Sequence, residues 1–415
     1  MTGAGERPGV GASLSRTRPA APVRVAHLGL GAFHRAHQAW YTQRANDAAR
    51  DEGWGIASFT GRSSAAADRL RLTGGVYTLL GRSAEGDRAE RIESIVRAVP
   101  GADDRAWQDT VADPNVGVLT VTVTEAGYGP ASGPPARIAA ALLARADRGA
   151  DPIAVVSCDN LLGNGRVLRQ AVRAAAAAHA DRVDEAATFV DTVVDRITPA
   201  VTNADLAVVR ELTGHDDPSA VVTEPFAEWV LAGDFPSGRP AWEAAGARIV
   251  ADAAPYEERK LWLLNAGHSV LAAAGRLRGY ETVAEAFEDP ELRDGVEALW
   301  DEQREVIDLP AREVDDWLTA LRIRFTNPRI AHRLDQIRRD STVKIPLRVL
   351  APLRRRREAG LPPGDAQLAA LDAWVRSVVE LPPTDDATSA LASELAAVEP
   401  ADRVRTVVDR LSPGL

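Results

Sequence analysis

The sequence predicts a two-domain protein, in which an N-terminal doubly wound α/β domain precedes a C-terminal domain built almost wholly from α-helices. Three observations predict this division. Short apolar runs alternate with helical stretches as far as about residue 250, and a Gly-x-Gly turn follows the first run. Beyond Pro255 the apolar residues keep a helical period, with short loops between segments. We therefore expect one domain at 23–252 and a second at 253–415.

The first 22 residues are rich in Gly, Ala, Pro and Arg, and they lack the apolar segment of a signal peptide. We expect residues 1–22 to form a disordered tail.

Composition bounds the function. At 415 residues the chain can bury two cores. A formal net charge of −10 argues against nucleic acid or an anionic membrane surface as a partner, and no apolar run is long enough to span a bilayer. The single cysteine, Cys158, excludes an internal disulfide and fits a reducing cytoplasm. The oligomeric state stays open, and a monomer is compatible with the sequence.

The first strand, 23–28, runs into a glycine turn and then a helical stretch at 35–49. Strand, Gly-x-Gly and helix open a dinucleotide-binding unit of Rossmann type, with the second glycine admitting a pyrophosphate. Because the third glycine of that pattern is replaced by histidine, a plain glycine turn stays an alternative. The predicted cofactor contacts in this turn are Gly29, Gly31, Ala32, Phe33 and His34.

The second strand, 54–60, should end in an acid for the ribose hydroxyls of NAD, but it runs into Gly61 and Arg62. Arg62 would meet the 2′-phosphate of NADP, or it is simply solvated. NAD is the expected cofactor, and NADP is not excluded.

Polar residues follow several later strands, where parallel sheets place their ligands. The remaining strands are predicted at 76–80, 92–99, 116–124, 153–157, 187–197, 221–229 and 247–251. Thr124 and Glu125 end one of them and are assigned to the cofactor side of this edge. Asn160 and Asn164 follow another and are candidates for the substrate or nicotinamide side, with an ordinary Asn/Gly turn as the alternative.

Lys260 is one of only two lysines among 49 Lys and Arg residues. Arginine cannot release a proton near neutral pH, whereas a desolvated lysine readily does, so a rare lysine indicates a base. The alternative is a solvated surface charge. The seven histidines and the cysteine form no metal-ligand pattern, so we expect chemistry without zinc.

The segment around Lys260 begins like a helix, with Pro255 and acids in its first turn. On an α-helix, Glu257, Lys260, Asn265 and His268 would fall within an arc of roughly 140°. One interpretation is a polar network that fixes the helix to the next domain. The other is a proton-transfer site, with lysine as base, asparagine as oxyanion donor, histidine on a substrate hydroxyl and glutamate passing the proton to water.

The remaining helices of the second domain are predicted at 282–287, 290–306, 310–321, 328–339, 346–357, 366–380, 387–398 and 401–411. The second lysine, Lys344, lies in a polar stretch at 330–348 that also contains His332, Arg333, Gln336 and Arg348. Arginine forks grip carboxylates or phosphates, but a surface helix laced with ion pairs is the simpler interpretation.

Several stretches together resemble the long-chain polyol dehydrogenases, a family that includes mannitol 2-dehydrogenase, fructuronate reductase and tagaturonate reductase. The resemblance spans Val25 to Arg348. The matching stretches are HLGLGAFHRAHQA at 27–39, TVTEAGY at 122–128, SCDNLLGNG at 157–165, VDRITP at 194–199, EPFAEWVLAGDFPSGRPAWEAAGA at 224–247, PYEERKLWLLNAGHS at 255–269 and RFTNPRIAHRLDQIRRDSTVKIPLR at 324–348. VDRITP and KLWLLNAGHS are the specific ones.

The resemblance implies a role for each matching residue. Lys260 would be the base, Asn160 and Asn265 would hold the reacting oxygen, His268 would bind substrate, and Glu257 would lie on the proton path. Further substrate contacts would come from Asp195, Arg196, His332, Arg333, Gln336 and Lys344.

The implied reaction is a metal-independent, NAD(P)-dependent interconversion of a sugar alcohol or aldonate with its ketose. Trp262 departs from the usual small residue or Arg and leaves substrate scope open. Gln336 replaces an Arg of the mannitol branch, which makes the stretch more like the hexuronate branch. Mannitol-1-phosphate 5-dehydrogenase is one alternative, and a non-catalytic dinucleotide-binding regulator is another.

Overall fold

A computed structural model describes residues 14–49, 53–61, 63–123, 125–128 and 133–413, without the side chains of 125 and 126. The chain divides into two compact units, Met1–Ala253 and Ala254–Leu415. The division predicted from the sequence falls at residues 252 and 253.

The first unit contains a large, mostly parallel sheet. Its strands are β1 Val23–Leu28, β2 Gly55–Phe59, β5 Ile95–Val99, β6 Val118–Val121, β7 Ile153–Ser157, β8 Ala187–Asp195, β10 Glu228–Ala232 and β11 Arg248–Val250. Their order is β11-β10-β8-β7-β6-β1-β2-β5, and β10 runs antiparallel to β8. The strands that follow β1 in the sequence lie on both sides of it in the sheet, with β2 on one side and β6 on the other. This makes the carboxyl ends of β1 and β6 the topological switch point, where open α/β sheets bind ligands.

A second, three-stranded sheet consists of β3 Tyr77–Ser83, β4 Gly86–Ile92 and β9 Val221–Thr223, in the order β4-β3-β9. Two sequence predictions were wrong here. The strand predicted at 92–99 is the end of β4 plus β5, and the strand predicted at 221–229 is β9 plus β10. Pro225, which cannot donate to a ladder, lies in the break between β9 and β10.

Most helices of the first unit pack on the two faces of the large sheet, and α8 packs on the small one. They are α1 Ala32–Ala36, α2 Gln38–Ala48, α3 Ala65–Leu72, α4 Asp104–Val111, α5 Pro134–Asp147, α6 Asn164–Ala176, α7 Ala180–Ala186 and α8 Asn203–Thr213. Short 3₁₀ turns lie at Glu125–Tyr128, Ala177–His179 and Trp242–Ala245. The helix predicted at 35–49 is interrupted at His37, which separates α1 from α2.

The predicted disordered tail is wrong for residues 14–22, which pack on the first unit. Leu14 is buried, and the guanidinium of Arg16 donates to the carbonyls of Glu93 and Ile95. The Thr17 amide and hydroxyl both donate to the Glu93 carboxylate at 2.9 Å. Residues 1–13 lie outside the described residues.

The second unit is helical. Its α-helices are α9 Ala254–Arg259, α10 Ala266–Val270, α11 Val283–Glu288, α12 Pro290–Arg304, α13 Ala311–Phe325, α14 Leu334–Arg338, α15 Ser341–Ile345, α16 Ala351–Glu358, α17 Asp365–Glu380, α18 Asp386–Ala396 and α19 Arg403–Leu411. The helix predicted at 328–339 shortens to α14, because residues before it form a turn and a bridge from Arg333 to Thr282.

Three segments of this unit are π-helical: Lys260–Asn265, Leu271–Gly275 and Pro346–Leu350. The first two lie within one continuous helix that starts as α9 and includes α10. The assumption of an ideal α-helix through Lys260 and Asn265 was therefore wrong. A π-helix bonds each residue to the fifth one along, and such segments often occur at functional sites.

None of the described helices is both long enough and apolar enough to cross a membrane.

Candidate active site

The turn after β1 contains two glycines, Gly29 and Gly31, and only Gly29 is required by the packing around it. Gly29 has φ of +112°, and a Cβ there would lie 1.9 Å from the carbonyl oxygen of Thr122. Gly31 has φ of −114°, and the nearest atom to a Cβ would be 3.6 Å away, at ordinary contact distance. Packing explains the first glycine. The exposed backbone at Gly31 fits the close approach of a phosphate.

Ala32 and Phe33, at the start of α1, are partly exposed beside this turn, but His34 is fully buried. Its ring stacks on that of His27 at 3.3 Å, and its Nε2 lies 2.9 Å from Ser58 Oγ. The prediction that the His34 side chain binds cofactor is therefore not supported. The imidazole instead joins α1 to β1 and β2, where the usual third glycine would allow close packing.

Three other predicted cofactor contacts lie outside what the structure describes. Arg62 and Thr124 are not among the described residues, and only the backbone of Glu125 is. Their roles stay predictions.

An aspartate for which the sequence predicted no role, Asp159, forms hydrogen bonds at this edge of the sheet. The buried Asp159 accepts hydrogen bonds from the Val123 amide, at 2.9 and 3.1 Å, and from the Tyr128 hydroxyl at 2.8 Å. The Tyr128 hydroxyl also lies 2.8 Å from Ser157 Oγ. The network ties the residues after β6 to the end of β7. Both stretches are polar ends of predicted strands, but no pattern in the sequence indicates that they contact each other.

The asparagines after β7 have different environments. Asn160 is exposed at the carboxyl end of the strand, and its role stays a prediction. Asn164 is fully buried, donates to the carbonyls of Asp159 and Thr192 at 2.8 Å, and accepts from the Thr192 amide at 2.8 Å. Asn164 is thus engaged in holding the β7 loop to β8, and its proposed ligand role is not supported.

Asp195 and Arg196 are both buried at the end of β8. Arg196 donates to the carbonyls of Ala36, at 2.6 Å, and Glu224, and its guanidinium lies 4.5 Å from the centre of the Trp40 ring. Burial lowers its pKa to about 10. These contacts make Arg196 a structural link, and the predicted substrate contact is not supported. Asp195 stays a prediction.

In the second unit, the helix that continues from α9 carries the predicted proton-transfer residues. The exposed fractions of Lys260, Asn265 and His268 are 8%, 8% and 6%, while Glu257 is partly exposed. Lys260 is therefore no solvated surface charge. The side chains of Asn265 and His268 have no hydrogen bond to any part of the chain that the structure describes.

His268 lies among rings and cations. Its imidazole stacks on Phe325 at 4.6 Å and meets His332 edge-on at 4.7 Å. Burial, then His332, Arg324 and further cations, hold its pKa well below the ordinary value. Burial, then the positive charges of Arg324 and Arg348, lowers the pKa of His332 to about 4. Both imidazoles are therefore neutral near pH 7.

Arg348 lies beside Asn265 and Ser269. Its Nη1 donates to the Asn265 carbonyl at 3.3 Å and to Ser269 Oγ at 3.0 Å. Burial lowers its pKa to about 10. The sequence placed Arg348 in a polar stretch without a role, and it missed Arg324, which sequence spacing alone does not bring near His268.

Three predicted substrate contacts point elsewhere within this unit. Arg333 is 63% exposed and pairs with Glu281 at 2.7 Å, and Gln336 is exposed. The Lys344 ammonium donates to the carbonyls of Ile337 and Arg339. Burial, then Arg348, lowers the pKa of Lys344. The structure does not support Arg333, Gln336 or Lys344 as substrate ligands, whereas His332 lies against His268.

Among the described residues there is no cluster of three or more His, Cys, Asp or Glu side chains arranged to hold a metal ion.

A glycine turn at the switch point of a parallel sheet, followed by a helical unit with a buried lysine, amide and imidazole, defines a dinucleotide-dependent oxidoreductase. Comparison with known proteins then identifies the family. Residues 23–244 match the mannitol dehydrogenase Rossmann domain, and residues 252–408 match the mannitol dehydrogenase C-terminal domain. The chain belongs to the mannitol dehydrogenase family.

Individual relatives give the same result. The chain is 36% identical over 365 residues to D-mannonate oxidoreductase of Escherichia coli, covering 80% of this chain and 75% of that protein. It is 36% identical over 357 residues to D-arabinitol 4-dehydrogenase of Ralstonia nicotianae, covering 79% and 77%. The solved ternary complex of Pseudomonas fluorescens mannitol 2-dehydrogenase with NAD and D-mannitol superposes with a TM-score of 0.77 at 29% identity, over 94% and 91% of the two chains.

Proposed function

We propose that this NAD-dependent dehydrogenase interconverts an open-chain sugar alcohol or aldonate with its ketose or keto acid, with Lys260 as general acid/base. The observation that supports this proposal is that Asn265 and His268, on the same helix as Lys260, are only 8% and 6% exposed and their side chains have no hydrogen bond to the described chain. Buried polar groups almost always have partners. Polar groups without one, on the helix of a buried lysine, fit contacts kept for a substrate.

In the oxidation direction, the neutral amine of Lys260 takes the proton of a secondary alcohol as the carbon loses its hydride. The Asn265 amide donates to the oxygen as its negative charge develops. His268, which burial keeps neutral, binds a neighbouring hydroxyl. In reduction, protonated Lys260 returns the proton to the forming alcohol. Glu257, three residues before the lysine, passes the proton to water.

NAD, when bound, supplies the hydride acceptor. The turn from Gly29 to Phe33 would hold its pyrophosphate, because it lies at the switch point and the backbone at Gly31 is open. The solved relative that binds D-mannitol also holds NAD, which supports NAD as the cofactor of this chain.

Several relatives act by name on mannonate, arabinitol and mannitol, and these names support the acyclic substrate class. Mannitol 1-phosphate is not favoured, because these names specify unphosphorylated substrates.

The test is Lys260→Ala, assayed with D-mannitol and D-mannonate as substrates of NAD reduction. We expect turnover to fall by about 10³-fold, within the range of general acid–base catalysis, with NADH affinity unchanged in a fluorescence titration. Lys260→Arg is the matched control, since it keeps the positive charge but cannot act as a base, and it should be equally slow. Partial rescue of the alanine variant by methylamine would support proton transfer, and near-normal turnover of either variant would remove Lys260 from the mechanism.

The wild-type assay also tests the alternative of a non-catalytic regulator. Binding of NADH without oxidation of any polyol or aldonate would favour that alternative.

A further inference from the structure

We propose that Arg348 binds the carboxylate of an open-chain substrate, so that the enzyme acts on an aldonate and its keto acid in preference to a neutral polyol. This inference rests on the proposed function and specifies its substrate class.

The position of Arg348 carries the first step. It lies in the π-helical segment Pro346–Leu350, which packs against the π-helical segment Lys260–Asn265. Its Nη1 is fixed by the Asn265 carbonyl and Ser269 Oγ, one turn from His268. The guanidinium is thereby held at the wall of the proposed substrate site by two hydrogen bonds, of 3.3 and 3.0 Å, to the helix that carries Lys260.

The unused donors of Arg348 carry the second step. Neither Nε nor Nη2 has a hydrogen bond to any described residue, and neither is sealed from solvent. No described carboxylate lies within ion-pair distance of this arginine. A part-buried guanidinium without an anionic partner is costly unless a ligand supplies one. Nε and Nη2 form the edge that binds a carboxylate through two parallel hydrogen bonds.

The surrounding charge carries the third step. Arg348 and Arg324 both help to lower the pKa of His268 and of His332. Because the two imidazoles are neutral near pH 7, Arg348, for which no carboxylate partner is described, supplies positive charge beside them. An anionic group on the substrate would balance this charge, whereas a neutral polyol would not.

The experiment compares D-mannonate with D-mannitol, which differ only by a carboxylate in place of a terminal hydroxymethyl group. A hydrogen-bonded charged pair contributes about 1.5–3 kcal/mol, so we expect kcat/KM of the wild type to favour mannonate by roughly 10- to 150-fold. Arg348→Gln should abolish this preference, because it lowers kcat/KM for mannonate, mainly through KM, by roughly 10- to 150-fold more than kcat/KM for mannitol, which also falls as the contacts to Asn265 and Ser269 are lost. Arg348→Lys, which keeps the charge but not the fork, should fall between the two.

The outcomes separate the inference from the proposed function. A wild type that oxidises neither probe contradicts the proposed function. A wild type that prefers mannitol, or an Arg348→Gln variant that loses both activities equally, overturns the role of Arg348 as a carboxylate ligand. Preference for mannitol 1-phosphate would overturn carboxylate in favour of phosphate.

Folding is controlled by NADH titration and thermal unfolding of each variant. If Arg348→Gln does not fold, Arg348→Lys decides: a selective loss on mannonate supports the inference, and an equal loss on both probes contradicts it.

Discussion

Each of the two units contains a pair of histidines whose rings touch, and the pairs differ in how their ring nitrogens are bonded. Three of the four rings are buried, and His332 is partly buried. In the first unit, His27 and His34 stack at 3.3 Å, with His27 Nδ1 lying 2.8 Å from Thr120 Oγ1 and His34 Nε2 lying 2.9 Å from Ser58 Oγ. In the second unit, His268 and His332 meet edge-on at 4.7 Å, and His268 has ring contacts but no hydrogen bond to the described chain.

Burial does not distinguish these pairs. It lowers the pKa of His27 to about 3 and that of His332 to about 4. The hydrogen bonds do distinguish them, because hydroxyls bond three of the four ring nitrogens of the first pair and leave only His34 Nδ1 without a partner, whereas His268 has no hydrogen bond to the described chain. A perturbed histidine is therefore a stronger candidate for function when the fold bonds neither of its ring nitrogens.

The strongest test of this comparison exchanges each histidine for alanine. His268→Ala should lower kcat/KM by about 100-fold, because a buried hydrogen bond to substrate is lost, while NADH binding is retained. His34→Ala should instead destabilise the fold by about 3 kcal/mol, since it empties a fully buried site. Steady-state kinetics and urea unfolding of both variants measure the two effects. A stable His34→Ala protein with impaired turnover would contradict the distinction.

Gly29 and Gly31 allow the same comparison, between a residue needed for stability and a residue proposed to contact a ligand. Gly29→Ala should destabilise the protein by about 2 kcal/mol or more, because φ is +112° and the new Cβ meets the Thr122 carbonyl. Gly31→Ala is the matched control for stability, which should change by less than about 0.5 kcal/mol. Its NADH dissociation constant should rise, since the methyl group faces the proposed pyrophosphate. Unchanged NADH affinity in Gly31→Ala would contradict that placement.

The buried imidazoles also predict how stability depends on pH. For His27 and His332 the folded pKa, about 3 and about 4, lies below the unfolded value of about 6.5, so the unfolded state binds more protons between these values. The stability they contribute is complete above about pH 6.5 and is lost as the pH falls, by up to about 1.4 kcal/mol per pH unit for each group.

Urea unfolding between pH 5 and 7 measures this slope. His332→Asn should reduce the slope, and substitution of the exposed His179 should not. An unchanged slope in His332→Asn would show that the pKa of this partly buried imidazole is not lowered in the folded protein.

The sequence predicted some structural features better than others, and buried strands were predicted best. Strands β1 and β7 have the bounds that their apolar runs predict, since buried strands are recorded directly in the sequence. The π-helical segment at Lys260 was not predicted, because a helical wheel assumes a constant rotation per residue. The lysine, amide and imidazole that residue type marked in the sequence are buried, and their catalytic roles stay predictions.

Long-range side-chain contacts were the least predictable feature. Arg333 and Lys344 looked equivalent to Arg348 in the sequence, yet one pairs with Glu281, one donates to backbone carbonyls, and only Arg348 reaches Asn265. The direction of a long flexible side chain depends on partners distant in sequence, and single-sequence patterns do not record them.

Tyr128→Phe has the smallest expected effect and extends the comparison beyond histidine. The Tyr128 hydroxyl bonds Asp159 and Ser157 at 2.8 Å, so its polar atom is used within the first unit, as those of His27 are. Its removal should lower the free energy of unfolding by about 1 kcal/mol, the net value of an internal hydrogen bond, and leave kcat within about 2-fold. Because burial raises the pKa of this tyrosine, the kinetics should also show no new pH dependence below pH 9. A large loss of kcat with unchanged stability would place Tyr128 with His268, among the groups that the fold holds for substrate.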